Sequence, residues 1–477
     1  MGQEITHTHF QRRDFEAFGR RLDSETRLLA EWFEQGRFTD ECNVAGFELE
    51  VWLLDRACCP APINEQYIAL AGQQPVVAEL ARFNLELNTA PRPLSGHLFS
   101  SLQRELSQTW EESKAIAGRL DAKLAMIGIL PTVRPQHLNL ANMSPLKRYR
   151  ALNEQILRLR DGAPLVLDIE GRERLQMSHG DVMLESVATS FQIHLQISPQ
   201  QAVRYYNAAH ILSAPMVAVS ANSPYLFGHD LWDESRIPLF EQSVAVAGSN
   251  RGLCGGQGRV TFGSAYLKTS IHECFQRNRD CYPALLPACL EEPAEALPHL
   301  RLHNGTLWRW NRPLIGFDEA GVPHLRLEHR VVPAGPTIID SVANAALFYG
   351  LIEALGQQEV APEAGIDFEQ ARRNFYLAAQ HGLAAEVQWQ GQKSVNLRDL
   401  LLNDLLPMAR RGLARLDIAA AEIDLYLGVI EGRLRKKQNG AAWQRGYIEK
   451  HGPDFAAMTS AYLVHQEGGE PVHEWRI

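Results

Sequence analysis

Gly46-Phe47-Glu48-Leu49-Glu50-Val51-Trp52-Leu53 is the stretch that best predicts the fold. In an extended chain its apolar side chains occupy one face, and Glu48 and Glu50 occupy the other. Two carboxylates on one face of a strand lie about 7 Å apart and repel each other unless a cation is close. The pattern predicts a strand with an apolar back and an acidic front. The alternative is a half-exposed strand with solvated glutamates.

Three later segments repeat this alternation, at residues 83–88, 182–198 and 324–332. Their front faces carry Glu86 on the first segment, Gln192, His194 and Gln196 on the second, and Arg326, Glu328 and Arg330 on the third. The polar face of the second segment is long and rich in hydrogen-bonding groups. Such a face is typical of the wall of a polar cavity and less so of a solvent-exposed strand.

If one sheet curls so that these faces converge, they line a cavity with carboxylates, an imidazole and guanidinium groups. Carboxylate oxygens favour Mg²⁺ or Mn²⁺ over Zn²⁺. Divalent ions and arginines neutralise and position nucleotide phosphates in phosphoryl transfer. We find no nucleophile-elbow, HExxH, P-loop or dinucleotide-binding motif. The pattern therefore favours metal–nucleotide chemistry on a curved antiparallel sheet.

Composition excludes several other classes of function. The chain has 477 residues and a formal net charge of −9, without a long basic tract, which argues against nucleic acid as a partner. We find neither an apolar run long enough for a membrane span nor the core of a signal peptide. The seven cysteines form no CxxC pair, which predicts neither a disulfide framework nor a zinc site. We therefore expect a reduced, cytoplasmic protein.

The rest of the chain predicts an α+β protein with outer helices. Predicted helices cover 8–37, part of 64–81, 98–124, 200–219, 341–356, 367–382, 396–415, 419–435 and 453–465. Short strands are predicted at 126–130 and 305–310, and a loop at the glycine-rich residues 252–263. We expect a single catalytic domain over residues 1–477 with a curved, mainly antiparallel sheet of about six strands. Its sheet-rich core covers approximately residues 40–340, and a C-terminal helical region at 341–465 packs on that core.

Motifs spread over residues 40–465 resemble those of a known family. The motifs are Gly46-Phe47-Glu48-Leu49-Glu50, Arg148-Tyr149-Arg150, Gln192-Ile193-His194-Leu195-Gln196, Ala221-Asn222-Ser223-Pro224 with Arg236, Arg326-Leu327-Glu328-His329-Arg330 with Pro336-Thr337 and Asp340, and Arg372-Arg373-Asn374 with His381-Gly382-Leu383. In order and spacing they resemble the type 2 glutamate–cysteine ligases, the bacterial carboxylate–amine ligase family. Gln192 replaces a histidine of that pattern, and residues 308–312 are a second departure. Both indicate a subgroup whose substrates need not be glutamate and cysteine.

The resemblance implies a glutamine-synthetase-like sheet that forms a funnel, and an ATP-dependent ligase. In such an enzyme a carboxylate, by analogy the γ-carboxylate of glutamate, is activated as an acyl phosphate. An amine such as cysteine then forms the amide. Mg²⁺ or Mn²⁺ bridges the phosphate oxygens. The implied partners are ATP and small-molecule carboxylate and amine substrates, and we expect a homodimer.

Candidate roles follow from the front faces and from the resemblance. The predicted metal ligands are Glu48, Glu50, Glu86, His194 and Glu328. Predicted nucleotide-binding residues are Gln192, Gln196, Arg326 and Arg330. Predicted catalytic residues are Glu50 and Arg330, and predicted substrate-binding residues are Glu86, Arg236 and Arg309. The alternatives for these residues are structural: salt bridges for the arginines, a cross-strand ladder for the glutamines and a core position for the histidine. Trp308 and Trp310 are predicted to pack in the core in preference to stacking on adenine.

Two other functions stay open at this point. A guanidino-type phosphotransferase on the same sheet would move phosphate without forming an amide. A non-catalytic binding or regulatory relative would keep the fold without the reaction, but it would be expected to lose the acidic residues, and these are present.

Overall fold

The computed structural model describes residues 4–246 and 258–477, without the side chains of residues 392 and 393. Its main feature is a curled, largely antiparallel sheet. In this part of the chain the sheet comprises β1 (Val44–Leu54), β2 (Val76–Ala78), β3 (Asn84–Asn88), β4 (Arg92–Pro93), β5 (Lys123–Ala125), β8 (Phe191–Ile197), β13 (Asn311–Phe317) and β14 (Pro323–His329). The α+β fold with a curved antiparallel sheet is therefore confirmed.

Strand order explains how distant parts of the sequence meet. The order across the sheet is β13-β14-β8-β1-β3-β2, and β4 and β5 pair with β1. Antiparallel register places Glu48 opposite Gln192 and Glu328 opposite His194. Because directly opposed residues on neighbouring strands point to the same face, the predicted polar fronts of β1, β8 and β14 lie on one face.

Smaller sheets and helices surround this sheet. The remaining strands are β6 (Leu165–Glu170), β7 (Arg174–His179), β9 (Tyr225–Leu226), β10 (His229–Asp230), β11 (Val260–Thr261), β12 (Trp308–Arg309), β15 (Glu386–Trp389) and β16 (Gln392–Asn396). The helices are α1 (Arg12–Glu34), α2 (Asn64–Ala71), α3 (Leu98–Arg119), α4 (Lys147–Leu159), α5 (Ala202–Ser220), α6 (Arg236–Ser243), α7 (His272–Cys281), α8 (Pro298–Gly305), α9 (Ile338–Gly356), α10 (Phe368–His381), α11 (Leu397–Leu400), α12 (Leu406–Arg415), α13 (Ala420–Lys436), α14 (Gly440–His451) and α15 (Phe455–Gly468).

Several element predictions were wrong. Residues 182–187 form a 3₁₀ turn, so the predicted strand at 182–198 is shorter and begins at Phe191. Residues 126–130 form no strand, and the strand before them is β5. The predicted strand at 305–310 is reduced to β12, while β13 follows it and was missed. The loop predicted at 252–263 lies mostly outside the described residues.

The C-terminal helices pack tightly on the sheet-covering helix α9. Where α9 and α12 cross, a Cβ added to Gly412 would lie 1.8 Å from the carbonyl oxygen of Gly350. Only glycine allows backbones to approach this closely.

α9 is also the one helix among the described residues that is long and apolar enough to cross a membrane by length and composition, although 83% of its apolar window is buried inside the protein. The prediction that no apolar run reaches this length therefore needs correction, and the burial is typical of a core helix.

Cysteine pairing differs from the expectation in one place. Cys281 is disulfide-bonded. The free cysteines of the described chain are Cys42, Cys58, Cys59, Cys274 and Cys289. The expectation of a fully reduced chain is therefore wrong at Cys281.

Candidate active site

Three of the predicted metal ligands form one cluster across β1, β8 and β14. His194 Nε2 lies 3.2 Å from Glu48 Oε1 and 3.9 Å from Glu328 Oε1. One ligand atom from each of the three residues falls within 4.8 Å of the others. Within residues 4–246 and 258–477, Glu48 Oε2 and both ring nitrogens of His194 have no hydrogen-bond partner although they are buried. Unpartnered buried polar atoms are costly, so this donor set fits a bound divalent cation.

Glu328 is held in place by two arginines. Arg312 donates to both of its oxygens, from Nε at 2.7 Å and from Nη2 at 2.9 Å. Arg330 Nη1 lies 3.3 Å from Glu328 Oε2. Burial would raise the pKa of Glu328, but the positive charges of Arg312 and Arg330 outweigh burial and hold that pKa well below its usual value. Glu328 is therefore a fixed negative charge.

Glu48 and Glu50 point to the same face of β1 but have different environments. Burial would raise the pKa of Glu48, but the close approach of His194 Nε2, at 3.2 Å, outweighs burial and lowers it. Burial raises the pKa of Glu50 to about 7. Glu50 accepts hydrogen bonds from the Ser190 N–H at 2.7 Å and from Gln192 Nε2 at 3.0 Å. Glu48 is thus suited to hold a cation, and Glu50 to exchange a proton near neutral pH.

Gln192 connects the two predicted catalytic residues. Its Nε2 donates to Glu50, and its Oε1 accepts a hydrogen bond from Arg330 Nη1. The side chain is fully buried. Only one orientation of the side-chain amide lets its nitrogen donate to Glu50 and its oxygen accept from Arg330, so this orientation is fixed.

Glu86 lies directly opposite Glu50 in the register of β1 and β3. Its Oε1 accepts a hydrogen bond from Asn88 Nδ2 at 3.0 Å, and its buried Oε2 has no partner among the described residues. Burial and the nearby charges of Glu48 and Glu79 raise its pKa well above the usual value. Neither Glu50 nor Glu86 belongs to the three-residue metal cluster, so their predicted roles as metal ligands stay predictions.

A cavity of about 680 Å³ opens over these strands. Its acidic lining residues are Glu48, Glu50, Glu79, Glu185, Glu292 and Glu328, and its basic ones are Arg148, Arg301, Arg312, Arg326 and Arg330. Its larger apolar lining residues include Phe275, Leu286, Leu302 and Trp308. Trp310 packs in the core as predicted, whereas Trp308 lies at the cavity wall. The cavity therefore offers cation-binding, anion-binding and apolar surfaces side by side.

Other predicted site residues lie outside this cavity lining. Arg236 Nε donates to Glu234 at 3.1 Å, and its Nη atoms donate to the carbonyl groups of Arg330 and Val331. Arg309 is buried and donates to Asn278 Oδ1 at 2.7 Å. Gln196 Nε2 donates to the Glu41 carbonyl at 3.0 Å. The structure thus does not bring Arg236, Arg309 or Gln196 to the cavity, and Arg236 instead fixes the backbone that carries Arg330.

Sequence reasoning assigned no role to several residues that the cavity brings together. Glu79 follows β2 and accepts a hydrogen bond from the Tyr149 hydroxyl at 3.3 Å. The Tyr149 oxygen accepts one from Arg148 Nη2 at 2.9 Å. Burial raises the pKa of Glu79 to about 7 and that of Glu185 to about 8. The Arg148-Tyr149-Arg150 motif was the one sequence signal that pointed here.

Comparisons with known proteins agree with this geometry. A family model described as glutamate-cysteine ligase family 2 (GCS2) matches residues 44–461. The comparison with curated proteins finds no match. Among solved structures, the glutamate–cysteine ligase (gshA) of Francisella tularensis in complex with AMP is similar, with a TM-score of 0.53 and 11% identity over 92% of this chain and 96% of that one.

Two more distant structures are also similar over 92% of this chain. A bifunctional glutathione synthetase from Pasteurella multocida is 12% identical, with 55% of its chain covered and a TM-score of 0.47. The ligase PafA in complex with the ubiquitin-like protein Pup is 8% identical, with 71% of its chain covered and a TM-score of 0.36. At these identities the Francisella structure supports the fold alone. The family model covers most of the chain, and the protein therefore belongs to glutamate-cysteine ligase family 2 and is an ATP-dependent ligase that forms carbon–nitrogen bonds.

Proposed function

We propose that this ligase activates the γ-carboxylate of glutamate, or of a similar amino acid, and joins it to an amine such as cysteine. The observation that carries this proposal is that two members of the Glu48–His194–Glu328 cluster, Glu48 and Glu328, line one cavity together with Arg312, Arg326 and Arg330. Phosphoryl transfer requires this combination of cation-binding and phosphate-binding groups. The similar Francisella protein is a glutamate–cysteine ligase in complex with AMP, which is consistent with these substrates.

Glu48, His194 and Glu328 would hold Mg²⁺ or Mn²⁺. The two carboxylate oxygens suit both ions, and the imidazole nitrogen favours Mn²⁺ over Mg²⁺. When bound, the ion neutralises phosphate oxygens and so favours transfer of the γ-phosphoryl group. Arg312 keeps Glu328 charged and oriented through its two hydrogen bonds. We also assign the nucleotide phosphates to Arg326 and Arg330. The buried Nε of Arg326 has no partner in the described chain and is available to a phosphate oxygen.

The reaction has two steps. A carboxylate oxygen of the acid attacks the γ-phosphorus of ATP, the bond to the β,γ-bridging oxygen breaks, and ADP leaves. The amine nitrogen then attacks the acyl carbon with its lone pair. The carbon–oxygen bond to the phosphate breaks, phosphate leaves with that electron pair, and the nitrogen releases its surplus protons. The protein supplies positioning and charge, and forms no covalent bond itself.

A substrate panel tests this proposal. Purified protein, ATP and Mg²⁺ are incubated with pairs of amino acids and amines, and ADP, phosphate and amide are quantified. We expect ADP and phosphate to form in equal amounts only when both acid and amine are present, with glutamate and cysteine among the active pairs. Glu48→Gln and Glu50→Gln are expected to lose most of this activity. Phosphorylated product without released phosphate would instead indicate a phosphotransferase, and absence of Mg-ATP binding would indicate a non-catalytic relative.

We further propose the single-domain organisation over residues 1–477, a homodimer and a cytoplasmic location. Size-exclusion chromatography with light scattering tests the oligomeric state. Limited proteolysis tests whether residues 40–340 and 341–465 separate.

A further inference from the structure

The charge of the residues that line the cavity changes from one edge of the sheet to the other. Arg312 lies on β13 and Arg326 on β14, at one edge of the strand order. Glu79 follows β2, at the other edge. All three line the same cavity, since the sheet curls around it. A ligand in the cavity therefore lies between a basic end and an acidic end.

Neither of two carboxylates at the acidic end forms an ion pair within the described chain, although the charge of Arg148 acts on Glu79 and that of Arg330 on Glu185 from further away. No donor in residues 4–246 or 258–477 hydrogen-bonds to the Glu185 carboxylate. The only side-chain donor to Glu79 in the same ranges is the uncharged Tyr149 hydroxyl. In the described chain, no ion pair within 4.0 Å joins Glu79 or Glu185 to a basic side chain. In the free protein the cost of these charges raises the pKa of both carboxyl groups, whereas a cationic ligand would meet the same cost by supplying the missing positive charge.

The geometry argues against a metal ion at this end. A metal site built from protein donors alone needs at least three of them close together. Among the described residues, only Glu48, His194 and Glu328 bring three such atoms within 4.8 Å of one another. Glu79 and Glu185 belong to no such group. A pair of carboxylates without a third donor instead suits a cation that donates several hydrogen bonds, such as an alkylammonium group.

We propose that Glu79 and Glu185 bind the ammonium group of the amine substrate. The inference rests on the proposed ligase reaction and names the place and charge state in which its second substrate enters. ATP and the activated acid then occupy the basic end, and the amine approaches the acyl phosphate from the acidic end. The ammonium group first gives one proton to a neighbouring carboxylate, so that its nitrogen has a lone pair when it attacks the acyl carbon. The binding of Tyr149 to Glu79 holds one of the two carboxylates in position.

The test compares charged and uncharged nucleophiles. Glu79→Gln and Glu185→Gln are assayed with ATP, Mg²⁺ and L-glutamate. L-cysteine and ammonium chloride serve as cationic nucleophiles, and hydroxylamine, which is largely uncharged at neutral pH, serves as the third. Hydroxylamine traps an acyl phosphate as the hydroxamate. Each variant loses a charge-assisted contact, so we expect KM for L-cysteine and for the ammonium ion to rise about tenfold or more, and KM for hydroxylamine to rise much less.

Two kinds of variant complete the design. Glu170→Gln, at an exposed position on β6, is the matched control and should change no KM. Glu79→Asp and Glu185→Asp keep the charge, so they should retain more affinity for L-cysteine than the glutamine variants do. Melting curves show whether each glutamine variant folds. Where one does not, the corresponding aspartate variant provides the test.

Several outcomes would overturn the inference. Equal rises in KM for hydroxylamine and L-cysteine would show that the two carboxylates do not distinguish a charged from an uncharged nucleophile. Unchanged KM for L-cysteine would exclude contact with the ammonium group. Hydroxamate formation by the unmodified protein without any amide from L-cysteine or ammonium would also contradict it, while leaving acid activation intact. Absence of both products would instead refute the proposed function, and the inference with it.

Discussion

Glu328 accepts two hydrogen bonds from the guanidinium group of Arg312, at 2.7 Å from Nε and at 2.9 Å from Nη2. Both side chains are almost completely buried. Glu328 also lies 3.9 Å from His194 in the metal cluster. Arg312 therefore fixes the orientation of a proposed metal ligand without being a ligand itself.

Arg312→Ala should weaken both stability and metal binding. Removing one partner of a buried ion pair costs about 3–5 kcal/mol of unfolding free energy, because the other charge stays buried. Loss of a partner that orients a ligand typically lowers metal affinity about 10–100-fold. Thermal unfolding and Mn²⁺ titration measure the two effects, with Arg312→Lys expected to lie in between.

Arg174→Ala is the matched control for this prediction. Arg174 makes the same two-pronged contact with Asp168, at 3.0 and 2.8 Å, but on the exposed β6–β7 hairpin. Surface pairs contribute about 0–1 kcal/mol, so its removal should change little. Equal losses of stability in the two variants would show that burial does not matter for Arg312.

Glu48→Gln should selectively weaken divalent-cation binding. The change preserves size but removes a carboxylate charge beside His194, at 3.2 Å. We expect the dissociation constant for Mn²⁺ to rise about tenfold or more, measured by calorimetry or electron paramagnetic resonance. Glu170→Gln provides the exposed control. Unchanged Mn²⁺ affinity in Glu48→Gln would remove Glu48 from the metal cluster.

Gln192→Leu should lower kcat much more than it raises KM. The substitution leaves Glu50 and Arg330 without the buried amide that connects them, and each unsatisfied group costs about 1–3 kcal/mol. Gln196→Leu is the control on the same strand, because Gln196 donates only to the Glu41 carbonyl at the protein surface. Similar kcat values for the two variants would argue against a positioning role for Gln192.

The convergence of Glu48, His194 and Glu328 was predictable from sequence because each of them lies within a regular alternating strand. Period two determines which side chains share a face, and antiparallel pairing then brings Glu48, His194 and Glu328 together. The resemblance to the ligase family, which the family model bears out, placed these strands in one sheet.

The rest of the cavity could not be predicted because its residues lie outside such strands. Glu79 follows the three-residue strand β2, and Glu185 lies in a 3₁₀ turn where strand parity gives the wrong face. Arg312 lies on β13, whose Pro313 counts against a strand in sequence reasoning. Since β13 is at the sheet edge, the proline is tolerated there.

Glu241 should make the stability of the protein fall as the pH rises from about 4.5 towards neutrality. Its Oε1 accepts hydrogen bonds from Trp310 Nε1 at 2.9 Å and from the Tyr376 hydroxyl at 2.8 Å, and burial raises its pKa from 4.5 to about 7. Because the pKa of Glu241 is higher in the folded state, the folded protein binds the proton more tightly. The stability that this proton contributes is fully present below the unfolded-state pKa. It is lost between about pH 4.5 and pH 7, at a cost of about 3 kcal/mol.

Glu241→Gln tests this dependence, since the amide can still accept both hydrogen bonds but does not ionise. Melting temperatures across about pH 5 to pH 8 should fall more steeply for the unmodified protein than for Glu241→Gln. Glu170→Gln, at an exposed position, should follow the unmodified protein. A buried carboxyl group that gains a charge between about pH 5 and pH 8 must destabilise the fold relative to an uncharged side chain of the same shape. Parallel curves for the unmodified protein and Glu241→Gln would therefore mean that Glu241 does not titrate in this range.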